Sequence, residues 1–323
     1  MRLFHKTFLS VVLVLLLLPL MGCKKDNGAI GTKENPLKIM YVPSDDSQGI
    51  MESSKNLIQF LEKRVSQILY GADEGFYFKA SVPNSYIAVV ESFGTARADL
   101  AIMNTFGYYL LREEKKFPVE AILRVMRGKG ELEYKSQIIA RKDSKVKSLS
   151  DLNGKKFAFT DPASTSGFVI PSAFLNKAGI DLGEVVFGIK HDAVVTMVYQ
   201  GQVDAGATYY FPPAEDGKER DARVRVLTQF PDALEKVQVI GYTDAIPNAP
   251  WVLRANMYSD QEWYGKVRDA IAQAAAEYAK TPDGLERLKK EWGITGLVPT
   301  TDAEYDEAIA VFKKARELAK KYE

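Results

Sequence analysis

The chain is poor in the residues that most often build disulfides, metal sites and catalytic pairs. It has one cysteine and two histidines among 323 residues. One cysteine cannot form a disulfide within the chain, and so few histidines leave little material for a metal cluster or an activated nucleophile. Charge of one sign is also missing, since 43 basic residues face 42 acidic residues for a net charge of +1. Neither a polybasic surface for nucleic acid nor an acidic tail is therefore indicated.

An apolar run near the N-terminus, Phe8–Leu20, is too short to span a bilayer comfortably. Basic residues precede it, and it ends in Leu-Met-Gly-Cys at Cys23. This order resembles the signal peptide and lipobox of bacterial lipoproteins, which implies removal of residues 1–22 and acylation of Cys23. The alternative is a plain signal peptide with an incidental cysteine. Residues 23–36 have the polar, glycine-rich composition of a tether between a membrane anchor and a folded body.

Beyond the tether, strand-like and helix-like segments alternate. Segment 49–70 has apolar residues at helical spacing, which predicts an amphipathic helix, and short apolar runs on both sides of it predict strands. Such alternation predicts an α/β fold with a mainly parallel sheet covered by helices. Ligands bind beyond the carboxyl ends of the strands in such sheets, which places Ser44, Tyr86 and the Asn104–Thr105 pair at one rim.

The chain is predicted to form two lobes that meet at a glycine-rich crossing. The strand-like segment Val119–Arg127 is followed by Gly-Lys-Gly at 128–130, and Ile-Pro-Asn-Ala-Pro at 246–250 leads back into extended structure. The same α/β rhythm occurs on both sides of the crossing. We therefore expect residues 37–128 and 243–323 to form lobe 1, and residues 129–242 to form lobe 2.

The segment Asp161–Gly167 joins a predicted strand to a predicted helix that starts at Phe168. It carries three hydroxyls in a row, at residues 164–166, followed by glycine. Free backbone N–H groups and the positive end of a helix dipole favour an anion at such a place. Hydroxyls add donors without adding charge. The sequence therefore predicts an oxyanion site, with simple capping of the helix by one hydroxyl as the alternative.

Three stretches occur together in a recognisable order: DPASTSGFVIP, KHDAVVTMVYQGQVDAGAT and AIPNAPWVLR. In order and spacing they resemble the phosphonate/phosphite/phosphate-binding proteins of bacterial ABC transporters. The resemblance implies a two-lobed periplasmic binding protein fold, type II-like, that closes around its ligand about a hinge of two crossing strands. It also implies a binding protein without a cofactor or metal, not an enzyme.

The same resemblance implies roles for individual residues. The three hydroxyl residues match donors to phosphoryl oxygens, and the histidine at the start of the second stretch matches one that contacts the phosphoryl group. Two tyrosines match, one from the opposite lobe and one near the crossing. The ligand-binding residues expected in this way are Tyr86, Tyr134, Ser164, Thr165, Ser166 and His191.

The chain departs from the family at the other end of the ligand. In binders of aminoalkylphosphonates, acidic residues meet the ammonium group, where this chain has Phe211 and Ala249. A buried cation without a countercharge costs several kcal/mol, roughly, so 2-aminoethylphosphonate is not expected to be the main ligand. The nearby Tyr209, Tyr210 and Trp251 either pack on an organic substituent or belong to the core and lobe surface.

We therefore predict a lipid-anchored, monomeric receptor in the cell envelope, on its periplasmic or extracellular side, that delivers a phosphorus oxyanion or its organic derivative to an ABC permease. A ligand-binding partner of a membrane sensor kinase is an alternative that the sequence does not separate from it. A phosphoryl-processing enzyme is a second alternative. Ser166 beside His191 imitates a catalytic dyad, but no third group to orient the histidine is evident.

Overall fold

The computed structural model describes residues 29–44, 46–214 and 216–322. The predicted signal peptide 1–22 and the acylated Cys23 lie outside the described residues. The later part of the predicted tether is described, and it packs on the folded body: the carbonyl of Ile30 accepts a hydrogen bond from the hydroxyl of Tyr258 at 2.6 Å. The side chain of Ile30 also contacts an apolar core cluster. The part of the predicted tether around Ile30 therefore belongs to the folded body.

Strands and helices alternate along most of the described chain. The strands are β1 (Leu37–Tyr41), β2 (Phe78–Ser81), β3 (Leu100–Ile102), β4 (Val119–Arg127), β5 (Glu133–Arg141), β6 (Lys156–Phe159), β7 (Glu184–Phe187), β8 (Ala205–Tyr210), β9 (Val237–Tyr242), β10 (Ile246–Pro247), β11 (Pro250–Arg254) and β12 (Ile294–Pro299). The α-helices are α1 (Ser47–Tyr70), α2 (Tyr86–Gly94), α3 (Thr105–Tyr109), α4 (Ile170–Lys177), α5 (His191–Tyr199), α6 (Ala233–Lys236), α7 (Gln261–Tyr278), α8 (Pro282–Trp292) and α9 (Asp306–Ala319). Short 3-10 helices lie at Leu149–Leu152, Ala222–Val226, Asp302–Tyr305 and Lys320–Tyr322, and π-helical turns at Leu110–Glu114 and Thr165–Val169.

Helix α1 is started and ended by its own sequence. The carboxylate of Asp46 accepts the N–H of Gly49 at 2.7 Å, and Gly71 ends the helix in the left-handed region at φ 68°. Its apolar stripe is buried, as the spacing of the sequence predicts. The buried apolar residues are Ile50, Leu57, Leu61 and Val65.

The strands form two mixed sheets. In the described chain the first sheet has the order β12-β4-β11-β3-β1-β2, and the second has the order β10-β5-β8-β6-β7 with β9 also paired to β5. The pairs β1/β2, β1/β3, β6/β7 and β6/β8 are parallel. The pairs made by β4, β5 and β11 are antiparallel. Two α/β lobes are thus confirmed, while the parallel pairing predicted for each sheet as a whole is confined to one side of it.

The two sheets are joined where the chain crosses between them. Strand β4 of the first sheet leads into β5 of the second, and β10 of the second leads back into β11 of the first. Asn248 fastens the two crossings together, because its side chain donates to the carbonyls of Val125 at 3.1 Å and Glu131 at 3.0 Å. This arrangement agrees with the predicted hinge of two crossing strands. The exact lobe boundaries at 128 and 242 stay a prediction.

Helix α9 contacts both lobes. The ring of Phe312 lies 5.9 Å from that of Phe106 in α3. Just beyond the helix, the ring of Tyr322 lies 5.8 Å from that of Phe159 in β6, and its hydroxyl donates to the carbonyl of Ile180 at 3.2 Å. The segment after β12 therefore contributes to the core of the second lobe as well as the first.

Candidate ligand-binding site

A cavity of about 380 Å³ lies between the two sheets. Both lobes line it, since residues that follow strands of the first sheet face residues that follow strands of the second. The polar residues at one end of the cavity include Ser44, Tyr86, Asn104, Tyr134, Ser164, Thr165, Ser166 and His191. All six residues predicted to bind ligand therefore line one cavity.

The segment Asp161–Gly167 forms a tight turn that is held by its own polar groups. The carboxylate of Asp161 accepts the N–H of Ala163 at 2.7 Å. The hydroxyl of Ser164 accepts the N–H of Gly167 at 3.1 Å, so Ser164 is the N-cap of the helical segment. The helical segment begins at Thr165 in a π-helical turn, not at Phe168 as the sequence predicts. Thr165 and Ser166 thus lie within the first helical turn, whereas the sequence predicts them before the start of the helix.

Gly167 is required by the close approach of the preceding strand. A Cβ atom at this position would lie 1.8 Å from the hydroxyl oxygen of Thr160. The backbone is bonded there as well, because the N–H of Thr160 donates to the carbonyl of Gly167 at 3.0 Å. The absence of a side chain therefore lets the turn pack directly on the end of β6.

The turn contacts the first lobe across the cavity. The hydroxyl oxygen of Thr165 accepts from the side-chain amide of Asn104 and from the N–H of Phe106, both at 2.9 Å. The carboxylate of Asp161 accepts from the N–H of Tyr86 at 3.4 Å, and burial raises the pKa of this carboxyl group. These bonds connect the turn to the first residues of α2 and α3, so the two lobes are in contact at the polar end of the cavity.

Tyr134 contacts the same turn from β5. Its hydroxyl interacts with those of Ser166 and Thr165, and these two contacts oppose the rise in the pKa of Tyr134 that burial causes. The carbonyl of Ser166 accepts from the hydroxyl of Ser136, two residues further along β5. Strand β5 therefore fixes both the backbone and the hydroxyl of Ser166.

His191 is the first residue of α5 and is 3% exposed. Its ring packs edge-on against that of Tyr209, with 4.9 Å between the ring centroids. The backbone N–H of His191 donates across the cavity to the carbonyl of Ser44 at 3.4 Å. Its Nδ1 has no hydrogen-bond partner among the residues that the structure describes. Burial lowers the pKa of His191 to about 3. The imidazole is therefore neutral near pH 7 and presents one donor and one acceptor.

The low pKa of His191 makes a prediction about stability. The folded-state pKa of about 3 lies below the ordinary value of 6.5, so on acidification the unfolded chain takes up a proton first. We expect the free energy of unfolding to fall by up to about 1.4 kcal/mol per pH unit below about pH 6.5 because of this residue. Urea unfolding between about pH 7 and pH 5 measures the slope. The variant His191→Gln serves as the control, and an equal slope in both proteins would contradict the assignment.

Another part of the cavity, called its basic end here, is aromatic and basic. Arg127, Arg220 and Arg225 line it, and the guanidinium carbon of Arg127 lies 4.1 Å from the ring centroid of Phe211. The ring of Phe211 is also 5.5 Å from that of Tyr134, which connects this end to the hydroxyl cluster. The sequence pattern does not predict that these arginines line the cavity. Arg127 ends a predicted strand, and Arg220 and Arg225 lie in a stretch of mixed charge, both of which are common places for solvated charges.

The aromatic residues predicted near Phe211 separate into two groups. Tyr209 and Phe211 line the cavity, whereas Tyr210 packs against the ring of Tyr242 at 4.5 Å and is absent from the lining. The strand alternation explains this, because neighbouring side chains point to opposite faces of β8. Trp251 lines the cavity but is only 1% exposed, so it acts mainly as core. Ala249 lines the cavity as well.

Comparison with known proteins places this architecture in a family. Residues 39–305 match the family described as "ABC transporter, phosphonate, periplasmic substrate-binding protein". The chain belongs to this family. Members of this phosphonate-binding family are periplasmic substrate-binding components of a transporter, and the family is not one of enzymes. The resemblance seen in the sequence is thereby confirmed.

Several relatives and solved structures are similar to this chain over most of its length. The Phosphate-import protein PhnD of Mycolicibacterium smegmatis is 28% identical over 290 residues, which cover 84% of this chain and 83% of the relative. The structure of PhnD1 from Prochlorococcus marinus in complex with methylphosphonate has a TM-score of 0.69 at 18% identity, covering 88% of this chain and 98% of that one. A binding protein component of an ABC phosphonate transporter from Pseudomonas aeruginosa also has a TM-score of 0.69, at 19% identity, covering 87% and 88% of the two chains. The structural matches confirm the two-lobed fold.

The described residues hold no group of three or more His, Cys, Asp or Glu side chains arranged to bind a metal ion. Within the same residues, no helix combines the length and apolar character that crossing a membrane requires.

Proposed function

We propose that this chain captures a phosphorus oxyanion at the polar end of its cavity and delivers it to the permease of an ABC importer. The observation that carries the proposal is the convergence of Tyr86, Tyr134, Ser164, Thr165, Ser166 and His191 on one cavity between the lobes. The relatives' names support the ligand class, since one is a phosphate-import protein and another was solved with methylphosphonate.

The proposed mechanism uses neutral donors on two lobes. Ser164 and Ser166 present hydroxyls beside the start of a helical segment, and the neutral imidazole of His191 adds a donor from the same lobe. Each charge-assisted hydrogen bond contributes roughly 1.5–3 kcal/mol once the anion is removed from water. Tyr86 belongs to the other lobe, so hinge closure completes the site.

Thr165 has a different part in this proposal. Its hydroxyl oxygen already accepts two hydrogen bonds from the first lobe, at 2.9 Å each. The hydroxyl proton remains for the anion or for Tyr134. We therefore assign Thr165 to holding the lobes together around the ligand, as well as to contacting it.

A thermal-shift panel tests the ligand class. Phosphate, phosphite, methylphosphonate and phenylphosphonate are compared with sulfate, and a ligand at about 100 times its Kd is expected to stabilise the protein by roughly 2.7 kcal/mol. Phosphorus NMR of the bound compound should show it unchanged after release, because we propose binding without catalysis. A shift with sulfate alone would contradict the proposal, and so would turnover of the bound compound.

We also propose that the mature protein is a monomer anchored through lipid on Cys23, with residues 23–36 as the linker to the folded body. The support is the lipobox-like sequence before Cys23 and the packing of residues 29–36 on the first lobe. Intact-mass measurement of protein extracted from membranes should show an acylated N-terminal cysteine, and Cys23→Ser should abolish this addition. Recovery of unmodified wild-type protein would contradict the anchor.

A further inference from the structure

The basic end of the cavity contains a guanidinium group without a countercharge. Arg127 ends β4, and none of the described carboxylates lies within 4 Å of its side-chain nitrogens. Its Nε has no hydrogen-bond partner among the described residues, and one terminal nitrogen donates to the carbonyl of Trp292. Burial is the main cause that lowers the pKa of Arg127, to about 10, so it remains charged near pH 7. A full positive charge therefore lines the cavity with only a neutral acceptor bound to it.

The neighbouring charges do not neutralise Arg127. Arg220 is paired with Glu131 at 2.9 Å, and the charges of Arg220 and Arg225 further lower the pKa of Arg127. Arg225 donates to the hydroxyl of Tyr209 at 3.1 Å and to the carbonyl of Glu291 at 3.2 Å. Among the described residues that line the cavity, five are basic and two are acidic. They are Arg127, Arg220, Arg225, Lys289 and Lys290, against Glu219 and Glu291.

A structural role at the end of α8 explains only part of this arrangement. Arg127 and Arg225 both donate to carbonyls of the last residues of that helix, at Trp292 and Glu291. The negative end of a helix is equivalent to about half an elementary charge, which is shared here by two guanidinium groups. The contacts to α8 hold the arginines in position, but none of the described carboxylates is paired with Arg127.

Aromatic side chains connect this charge to the hydroxyl cluster. Tyr134 touches the hydroxyls of Ser166 and Thr165, its ring lies 5.5 Å from that of Phe211, and Phe211 lies 4.1 Å from the guanidinium carbon of Arg127. Burial raises the pKa of Tyr134, and the charge of Arg127 opposes this rise. A ligand that reaches both ends needs a short organic linker, which the rings of Phe211 and Tyr209 can cover.

We propose that the preferred ligand carries a second anionic group, a carboxylate or a phosphoryl group, at the end of a short organic linker, and that Arg127 binds it. The inference rests on the proposed function, because it takes the hydroxyl cluster as the site of the first phosphoryl group. It also gives a reason for the non-acidic residues Phe211 and Ala249, since a carboxylate there would compete with the ligand's second anion.

Four ligands of matched length test this proposal by calorimetry. Two methylene groups follow the phosphonate in each, and they end in a carboxylate (3-phosphonopropionate), a second phosphonate (ethylene-1,2-diphosphonate), a methyl group (propylphosphonate) or an ammonium group (2-aminoethylphosphonate). At least one of the two ligands with a second anionic group is expected to bind ten times more tightly than propylphosphonate, because a charge-assisted hydrogen bond is gained. The ammonium compound is expected to bind most weakly. Comparing 3-phosphonopropionate with ethylene-1,2-diphosphonate shows whether a carboxylate or a second phosphonate is preferred.

Variants identify the residue responsible. Arg127→Met keeps an apolar stem against Phe211 and should reduce the tenfold preference to less than twofold, while the Kd for propylphosphonate changes little. Arg124→Met is the matched control: it lies on the same strand, pairs with Glu304 at 2.8 Å and is absent from the cavity lining. It should keep the preference. If Arg127→Met does not fold, Arg127→Gln, which removes the charge but keeps a donor near the carbonyl of Trp292, should show the same loss of preference.

The outcomes separate the inference from the function on which it rests. Equal affinity for propylphosphonate and for the two ligands with a second anionic group overturns the second-anion proposal and leaves phosphonate binding intact. A tenfold preference that persists in Arg127→Met overturns the assignment to this residue. If none of the four compounds and no simple phosphorus oxyanion binds, the proposed function fails and this inference fails with it.

Discussion

Replacing Ser164 and Ser166 together with alanine is expected to weaken binding of the best phosphorus ligand at least tenfold. Each hydroxyl is proposed to donate one charge-assisted hydrogen bond to the anion, and two such bonds contribute roughly 3–6 kcal/mol before water replaces part of the loss. Tenfold corresponds to about 1.4 kcal/mol and is therefore a lower bound. Isothermal titration calorimetry measures the change.

The double variant has a second expected effect, on stability. Ser164 caps the helical segment by accepting the N–H of Gly167, and loss of such a cap costs about 0.5–2 kcal/mol.

Ser172→Ala is a suitable control for the binding measurement, because that buried hydroxyl donates to the carbonyl of Val169 at 3.0 Å and does not line the cavity. It should leave the dissociation constant unchanged. An unchanged constant in the double variant would remove these hydroxyls from the site.

Substituting Gly167 by alanine is expected to damage both folding and binding. The new Cβ would lie 1.8 Å from the hydroxyl oxygen of Thr160 and 2.7 Å from its Cβ, so the turn or the end of β6 must move. Overpacking of this kind typically costs about 1–3 kcal/mol, and we expect the upper end because the short, branched side chain of Thr160 can move little without its backbone. Since the turn carries the proposed donors, its displacement should also weaken ligand binding at least tenfold.

Gly265 offers a matched control for that substitution. It lies in α7, and a Cβ there would meet no atom within 4 Å. Gly265→Ala should therefore be neutral or stabilise the protein by up to about 1 kcal/mol. Thr160→Ala added to Gly167→Ala should restore part of the stability, because it removes the nearest of the clashing atoms. Thermal unfolding that is identical for Gly167→Ala and the wild type would show that the close approach is unimportant.

Local sequence patterns are sufficient to predict many of the helices and strands. The stripe of α1 and the alternation of apolar runs with helices were sufficient because side-chain period and burial are tied to backbone geometry within each element. Strand β12 was missed, since Ile294–Pro299 is short, contains Gly296 and follows a helix directly after Gly293. Its identity as a strand depends on pairing with β4, which lies more than 160 residues earlier in the chain.

The phosphoryl end of the candidate site could be predicted and the basic end could not. The hydroxyl segment is contiguous, so its chemistry is visible in one stretch of sequence. Arg127 ends β4, whereas Arg220 and Arg225 lie about 90 residues later in one stretch, and only folding brings them to the same cavity. The start of the helical segment was also placed too late, because Thr165 and Ser166 have low helix propensity and their helical turn is set by the Ser164 cap and by β5.

The position of α9 has a consequence for how the chain reaches its native state. Phe312 and Tyr322 pack against Phe106 and Phe159, which are made more than 160 residues earlier in the chain. Contacts of such large sequence separation close only after the intervening chain is available. Neither lobe can complete its core as an independent early unit. Completion of both cores therefore depends on the same late segment, residues 306–322.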